Sequence, residues 1–158
     1  MSLKRKLEGE VEVREGAGDA FHDMYKSRPH HIKHAASNFV QSCDLHHGQD
    51  FGVPGSILSW NFTLDGKSGR TVKTEIEEID EQKRLVRQKI TEGDLIDGQY
   101  KSFICTCHVE PKDNETCIVK WIFEYEKVHP DIPEPTSLMD ALLNAAKDID
   151  DHHHGIKK

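Results

Sequence analysis

No stretch of this 158-residue chain approaches the roughly 18 consecutive apolar residues of a membrane-spanning helix. The opening MSLKRKLEGEVEV alternates charges with apolar residues, so it lacks the continuous apolar region of a secretory signal. Position 2 is Ser, which excludes N-myristoylation, and the final Gly155-Ile156-Lys157-Lys158 is no prenylation box. Basic charge is in deficit. Lys and Arg number 21 against 28 Asp and Glu, a net charge of −7 at pH 7. The densest basic run, Lys4-Arg5-Lys6, is followed at once by Glu8, Glu10 and Glu12. No basic stripe is left for nucleic acid or an anionic membrane surface. These absences lead us to expect a soluble chain in the cytoplasm, with Cys43, Cys105, Cys107 and Cys117 as free thiols rather than a disulfide framework.

Only 35% of the residues are hydrophobic, but they are patterned, unlike those of a disordered chain. The length suits one domain, and with no internal repeat and no long linker we read residues 1–158 as that unit. Leu7, Gly9, Val11 and Val13 alternate with glutamates, which predicts a half-buried strand. Ala17, Ala20, Phe21, Met24 and Tyr25 then recur with helical spacing. Arg28-Pro29 must end that helix, and Pro29 can open a second short one running through Ile32 and Ala36. Six strands are expected next, over 39–45, 56–64, 70–79, 85–92, 100–109 and 117–125. Short turn sequences such as Asp65-Gly66-Lys67 and Pro111-Lys112-Asp113-Asn114 separate them, the signature of an antiparallel meander. A long amphipathic helix should follow Pro133 and Pro135, capped by Ser137 with Asp140, with Gly155 as its C-terminal stop. Asp148, Asp150 and Asp151 sit badly at its negative end, and the histidines and lysines beyond them offset this only in part.

Strand parity identifies the face that would look toward that helix. Leu58, Trp60, Phe62 and Leu64 fall on one side of their strand. Phe103, Cys105, Cys107 and Val109 pair in parity with Cys117, Val119, Trp121, Phe123 and Tyr125. Large aromatics beside small thiols can interdigitate as a solid core or outline a hollow with apolar walls. Composition alone leaves both open. No apolar stripe is left over to specify an oligomer.

Other motifs have plainer readings. The loop from Gly48 to Gly55 lacks the Gly-Lys-Ser/Thr ending of a phosphate loop and reads as a hairpin connection stiffened by Phe51 and Pro54. His30, His31 and His34 lack an acidic or thiol partner at ligand spacing, so neither they nor His152-His153-His154 suggest a metal centre. Cys105-Thr106-Cys107 is not a redox Cys-x-x-Cys, and its thiols read as small buried hydrophobes.

A set of local motifs goes further. Arg28-Pro29-His30-His31, Cys43-Asp44-Leu45-His46, the Gly48 to Gly55 loop, Trp60-Asn61-Phe62 with Asp65-Gly66-Lys67, Glu92-Gly93-Asp94-Leu95, Tyr100-Lys101-Ser102-Phe103 and Glu124-Tyr125-Glu126-Lys127 resemble the plant major latex proteins, a branch of the Bet v I-type superfamily. The resemblance runs from about Lys6 to His153. It implies an α+β helix-grip fold, in which a seven-stranded antiparallel curved sheet grips the long C-terminal helix above two short helices and a cavity remains inside. It further implies binding or carriage of an amphiphilic or hydrophobic molecule such as a steroid, flavonoid, cytokinin or lipid, in a setting of defence and stress response, with no cofactor or metal. The implied ligand-binding wall is Phe21, Met24, Ile32, Leu58, Trp60, Phe62, Val86, Gln88, Ile90, Phe103, Cys105, Cys107, Trp121, Phe123, Tyr125, Met139, Leu142, Leu143 and Ala146. Gln88 stands where relatives often place an aromatic, so it brings a hydrogen-bonding group into the wall. The alternative is a cavity enzyme of specialised metabolism, catalysing a condensation or isomerisation with an inward acid or base. Tyr125 is the ionisable group placed inward, while Lys73 and Glu75 would join it only on an unbulged strand.

Overall fold

The computed structural model describes residues 3–153. The expected C-terminal stop at Gly155 therefore lies outside the described residues. In chain order the elements are β1 (Lys4–Arg14), α1 (Glu15–Ser27), a 3-10 turn (Pro29–His31), α2 (Ile32–Ala35), β2 (Val40–His47), β3 (Ile57–Leu64), β4 (Lys67–Asp80), β5 (Leu85–Gly93), β6 (Tyr100–Pro111), β7 (Thr116–Lys127) and α3 (Thr136–His153). The strands form one sheet in the order β1-β7-β6-β5-β4-β3-β2, antiparallel at every pairing. Among the described residues no helix is long and apolar enough to cross a membrane.

Local chemistry accounts for the boundaries. Burial alternates residue by residue along β3 and almost throughout β7, as their apolar parity requires. Phe103, Cys105 and Cys107 pair with Tyr125, Phe123 and Trp121, so both strands of the β6–β7 hairpin turn these side chains to one face. Asp65 and Gly66 both adopt positive φ, 56° and 75°, the requirement of a tight two-residue hairpin turn between β3 and β4. At the β6–β7 turn the Asp113 carboxylate accepts the backbone N–H groups of Glu115 and Thr116, each at 2.8 Å. Register shifts interrupt the β2–β3, β3–β4, β4–β5 and β6–β7 ladders. Such bulges bend strands and raise local twist, which curves the sheet around α3.

Two details depart from the sequence reading, and a third resolves its condition on β4, whose ladder to β5 is bulged. Pro29 opens a 3-10 turn, leaving α2 only Ile32–Ala35, because Arg28 before it leaves the helical region at φ −135°, ψ 49°. Helix α3 begins at Thr136, and the Met139 N–H donates to the Pro135 carbonyl at 3.1 Å. Ser137 thus lies inside the first turn and is not the cap. On β4 the buried set is Val72, Thr74 and Ile76, so Lys73 and Glu75 turn outward, and Lys73 pairs with Glu92 at 3.1 Å.

Three contacts hold the helices on the sheet. A Cβ on Gly9 of β1 would stand 2.7 Å from Met139 Sδ and 3.1 Å from Leu143 Cδ1, so this glycine is the groove in which α3 lies. At the other end of α3, Arg14 Nη2 donates to Asp151 at 2.9 Å and Nε to Asp150 at 3.3 Å. This cation, distant in sequence, supplies the compensation that the acidic helix end needs. Helix α1 meets the β6–β7 hairpin at Gly18, where a Cβ would lie 2.4 Å from Cys117 Sγ and 3.1 Å from Val109 Cγ1.

Two outcomes follow. Gly18→Ala gains helix propensity of about 1 kcal/mol but overpacks the contact, so net destabilisation of about 1–2 kcal/mol is expected in urea unfolding. Cys117→Ala in the same chain should recover part of that loss, detected as a double-mutant coupling. Arg14→Met removes the guanidinium that pairs with the buried Asp150 and should lower unfolding free energy by about 1–3 kcal/mol.

Candidate ligand chambers between the sheet and the long helix

The concave face of the sheet and α3 do not meet everywhere. Between them lies a hollow of about 80 Å³. Every strand from β2 to β7 contributes to it: Val40, Trp60 and Phe62, Val72 and Thr74, Gln88 and Ile90, Cys105, and Trp121. Tyr25 closes it from α1, Leu138 and Leu142 from α3, and Phe39 and Leu95 from connecting segments. Tyr25 is held there by its ring contacts, 5.2 Å from Trp121 and 6.5 Å from Trp60 between centroids. The volume is small beside the roughly 300–1,000 Å³ of pockets that enclose drug-sized ligands.

No Lys, Arg, His, Asp or Glu lines this hollow. Burial pushes the Cys105 thiol up to about 12 and raises the Tyr25 phenol far above its ordinary range, so both keep their protons at neutral pH. Cys105 is consequently an unreactive thiol, and none of the four buried cysteines forms a disulfide. The polar groups of the wall form a chain. Trp60 Nε1 donates to Thr74 Oγ1 at 3.0 Å, and the Thr74 hydroxyl donates to Gln88 Oε1 at 2.6 Å. Among the described residues no group of three His, Cys, Asp or Glu side chains is placed to hold a metal ion.

A second, more polar chamber of about 230 Å³ adjoins the first. Leu95 and Leu138 line both, so they form the common wall. The outer chamber is built from the β3–β4 turn (Leu64, Asp65, Arg70), the end of the β5–β6 connection with β6 (Gln99, Tyr100, Phe103), and the segment that leads into α3 (Pro133 to Ser137). The guanidinium of Arg70 lies 5.9 Å from the centre of the Phe62 ring, whose side chain also lines the inner hollow.

The segment between β7 and α3 is strapped across this chamber. Tyr125 Oη donates to Glu134 Oε1 at 2.5 Å, the buried Lys127 ammonium pairs with the same carboxylate, and Tyr100 Oη donates to the Pro133 carbonyl at 3.0 Å. The Lys127 ammonium, then the Tyr125 hydroxyl, hold the Glu134 carboxyl below its ordinary range.

The residues expected in the wall divide by depth. Trp60, Phe62, Gln88, Ile90, Cys105, Trp121 and Leu142 line the inner hollow, and Phe103 lines the outer chamber. Tyr125 lines neither; its ring stacks on Phe103 at 5.3 Å and its hydroxyl is taken by Glu134. Phe21 is buried against Tyr25 and Trp121, and Phe123 against Phe103. Met139 and Leu143 pack over Gly9. Ile32, Leu58, Val86, Cys107 and Ala146 are buried in the core, and half-buried Met24 packs against it. Parity states which face a side chain takes but not how far along the strand the space extends. Tyr25, Phe39, Val40, Val72, Thr74, Leu95 and Leu138 line the hollow and were not expected there. Alternation with Lys73 and Glu75 could have identified Val72 and Thr74, and the α1 stripe Tyr25. Phe39 and Leu95, outside regular elements, carry no periodic signal.

Known proteins share this architecture. Ginseng major latex-like protein 151 from Panax ginseng superposes with a TM-score of 0.88 at 37% identity, over 96% of this chain and 98% of that one. Norcoclaurine synthase from Thalictrum flavum, solved in complex with dopamine and hydroxybenzaldehyde, gives 0.74 at 21% identity over 99% of this chain and 90% of that one, a likeness of fold alone. MLP-like protein 34 of Arabidopsis thaliana is 41% identical over 152 residues, 96% of this chain, which spans only 47% of that relative's length. Residues 2–154 match the Pathogenesis-related protein Bet v 1 family, and with that sequence match, that sheet and that gripped helix, the chain belongs to this family, in the company of its major latex-like members.

Proposed function

We propose that the chain binds and carries an amphiphilic small molecule in the cytoplasm, its apolar body in the inner hollow and its polar end in the outer chamber. One observation carries this reading: two adjoining chambers, one apolar and one of mixed polarity, share the Leu95–Leu138 wall. Burial of apolar ligand surface, worth roughly 25 cal/mol per Å² before ordering costs, would drive binding. Because the inner hollow is small, an extended guest would displace the Leu95 and Leu138 side chains and join the two spaces. The family's association with plant defence offers a setting for such a carrier. An acid or base role for Tyr125 lacks comparable support, since Tyr125 lines neither chamber and its hydroxyl is already bound to Glu134.

Replacement of Leu138 by Trp should fill the common wall. In a titration with 8-anilinonaphthalene-1-sulfonate followed by dye fluorescence, the affinity of Leu138→Trp is expected to fall about tenfold or more with the fold retained. Equal affinity in the two proteins would refute the two-chamber site.

The strap makes a kinetic prediction. Glu134→Gln removes the charge that Lys127 pairs with, and stopped-flow association of the same dye should become severalfold faster. The carboxyl titrates below its ordinary 4.5 in the folded chain. Its stabilisation of the strap is therefore present above that value and lost as pH falls through the lower folded value. Association should accelerate over that acid range in the parent and show a weaker pH dependence in Glu134→Gln.

A further inference from the structure

We infer that Gln88 reads the guest: its side-chain amide N–H donates to a neutral acceptor oxygen, a carbonyl or an ether, on an otherwise apolar molecule seated in the inner hollow. This rests on the reading of the hollow as a binding site and deepens it to a ligand class.

The direction of the polar chain makes the argument. An indole N–H can only donate. Trp60 Nε1 therefore gives its proton to Thr74 Oγ1, and the single hydroxyl proton of Thr74 goes on to Gln88 Oε1, 2.6 Å away. Reversing the amide would set Nε2 against Thr74 Oγ1 and leave the hydroxyl proton without an acceptor, because Thr74 has no other side-chain hydrogen bond among the described residues. The relay thus has one orientation. It consumes the acceptor of Gln88 and leaves the donor.

That donor faces usable space. Gln88 is 7% exposed, sits on β5 in the middle of the sheet and lines the hollow. Its Nε2 has no hydrogen-bond partner among the described residues. It also differs from Trp121 Nε1 and Tyr25 Oη, which are both unpartnered but fully buried. A buried amide donor is satisfied in nearly every protein interior, so an open one beside a hollow marks where an incoming acceptor fits. The acceptor must be neutral. No cation lines the hollow to meet a carboxylate or phosphate, and a charge stripped of water there would go unpaired. Val72, Ile90 and Leu142, which line the hollow with Gln88, offer only apolar contact.

The experiment compares acetophenone with its hydrocarbon isostere isopropylbenzene, each titrated into the ¹⁵N-labelled full chain and followed by NMR. Acetophenone is expected to shift the Gln88 side-chain amide proton downfield, and isopropylbenzene to leave it in place while shifting backbone resonances of the hollow. In Gln88→Leu the ratio of acetophenone to isopropylbenzene affinity should fall about five- to tenfold. Gln88→Met provides the same comparison should the leucine variant fail to fold. Thr74→Val should lower the ratio as well, because the amide is no longer oriented, and Thr74→Ser should hold it, a pattern that simple loss of packing would not produce. If both probes bind and the ratio is unchanged in Gln88→Leu or Gln88→Met, the inference is overturned and the carrier reading stands. If neither probe binds the parent chain, the hollow is not a site for such guests and the inference falls with it.

Discussion

A single helix cannot cover a seven-stranded sheet. With strands about 4.8 Å apart the sheet is roughly 29 Å wide, whereas an α-helix with its side chains is about 10 Å across. The concave face of this sheet is apolar from β2 to β7, so all of it must be shielded from water by something other than α3 alone. The solution has three parts. Bulges curl the strands toward the helix. Helix α1 inserts Tyr25 between the indoles of Trp60 and Trp121 and sets Phe21 against Trp121. Gly9 lets α3 settle close to the β1 edge. What none of these fills, over the centre of the sheet where Val72, Thr74 and Gln88 are smaller or polar, is the hollow.

The same geometry separates two chemistries. Deep in the fold the hollow has no charged lining, and Trp60, Thr74 and Gln88 hold one another in a directed chain that ends on the open amide donor of Gln88. Nearer the surface, water returns and with it Asp65, Arg70, Gln99 and Glu134. Leu95 and Leu138 lie where the two regimes meet. The strap over the outer chamber is held by polar contacts rather than by buried apolar area. A carboxylate exposed enough to titrate, with an ammonium and a phenol as partners, forms a more adjustable closure than packed leucines would.

Charge plays its part outside the core. The net −7 is spread over the solvent faces of alternating strands, where pairs such as Lys120 with Glu8 and Lys73 with Glu92 cross between neighbours. Exposed pairs of this kind add little stability. The exception is Arg14, because its partner Asp150 is only 8% exposed and lies on the helix whose position shapes the hollow. The β1 edge is thereby tied to α3 at both ends, by a glycine groove at one and an ion pair at the other.

Sequence period alone determined the element order, the antiparallel meander, the shared face of β6 and β7, and the buried thiols, because each follows from a two- or 3.6-residue repeat that any neighbour would respect. Motifs strung along the chain pointed to the family before any contact was visible. Depth was beyond that reach. Met139, Leu143 and Phe123 carry the same apolar signature as Leu142 and Trp121, and whether each fills the core or lines a space depends on where α3 and α1 lie against a curved sheet. Tyr125 had inward parity, and its role passed to the strap through Glu134, a partner beyond the end of its own strand. Gln88 was recognisable as an oddity in an apolar wall, but only the cross-strand position of Thr74, set by the register of β3, β4 and β5, turned it into a donor with one direction. Tertiary structure decides such matters because hydrogen-bond direction and empty volume belong to groups of residues brought together from distant segments.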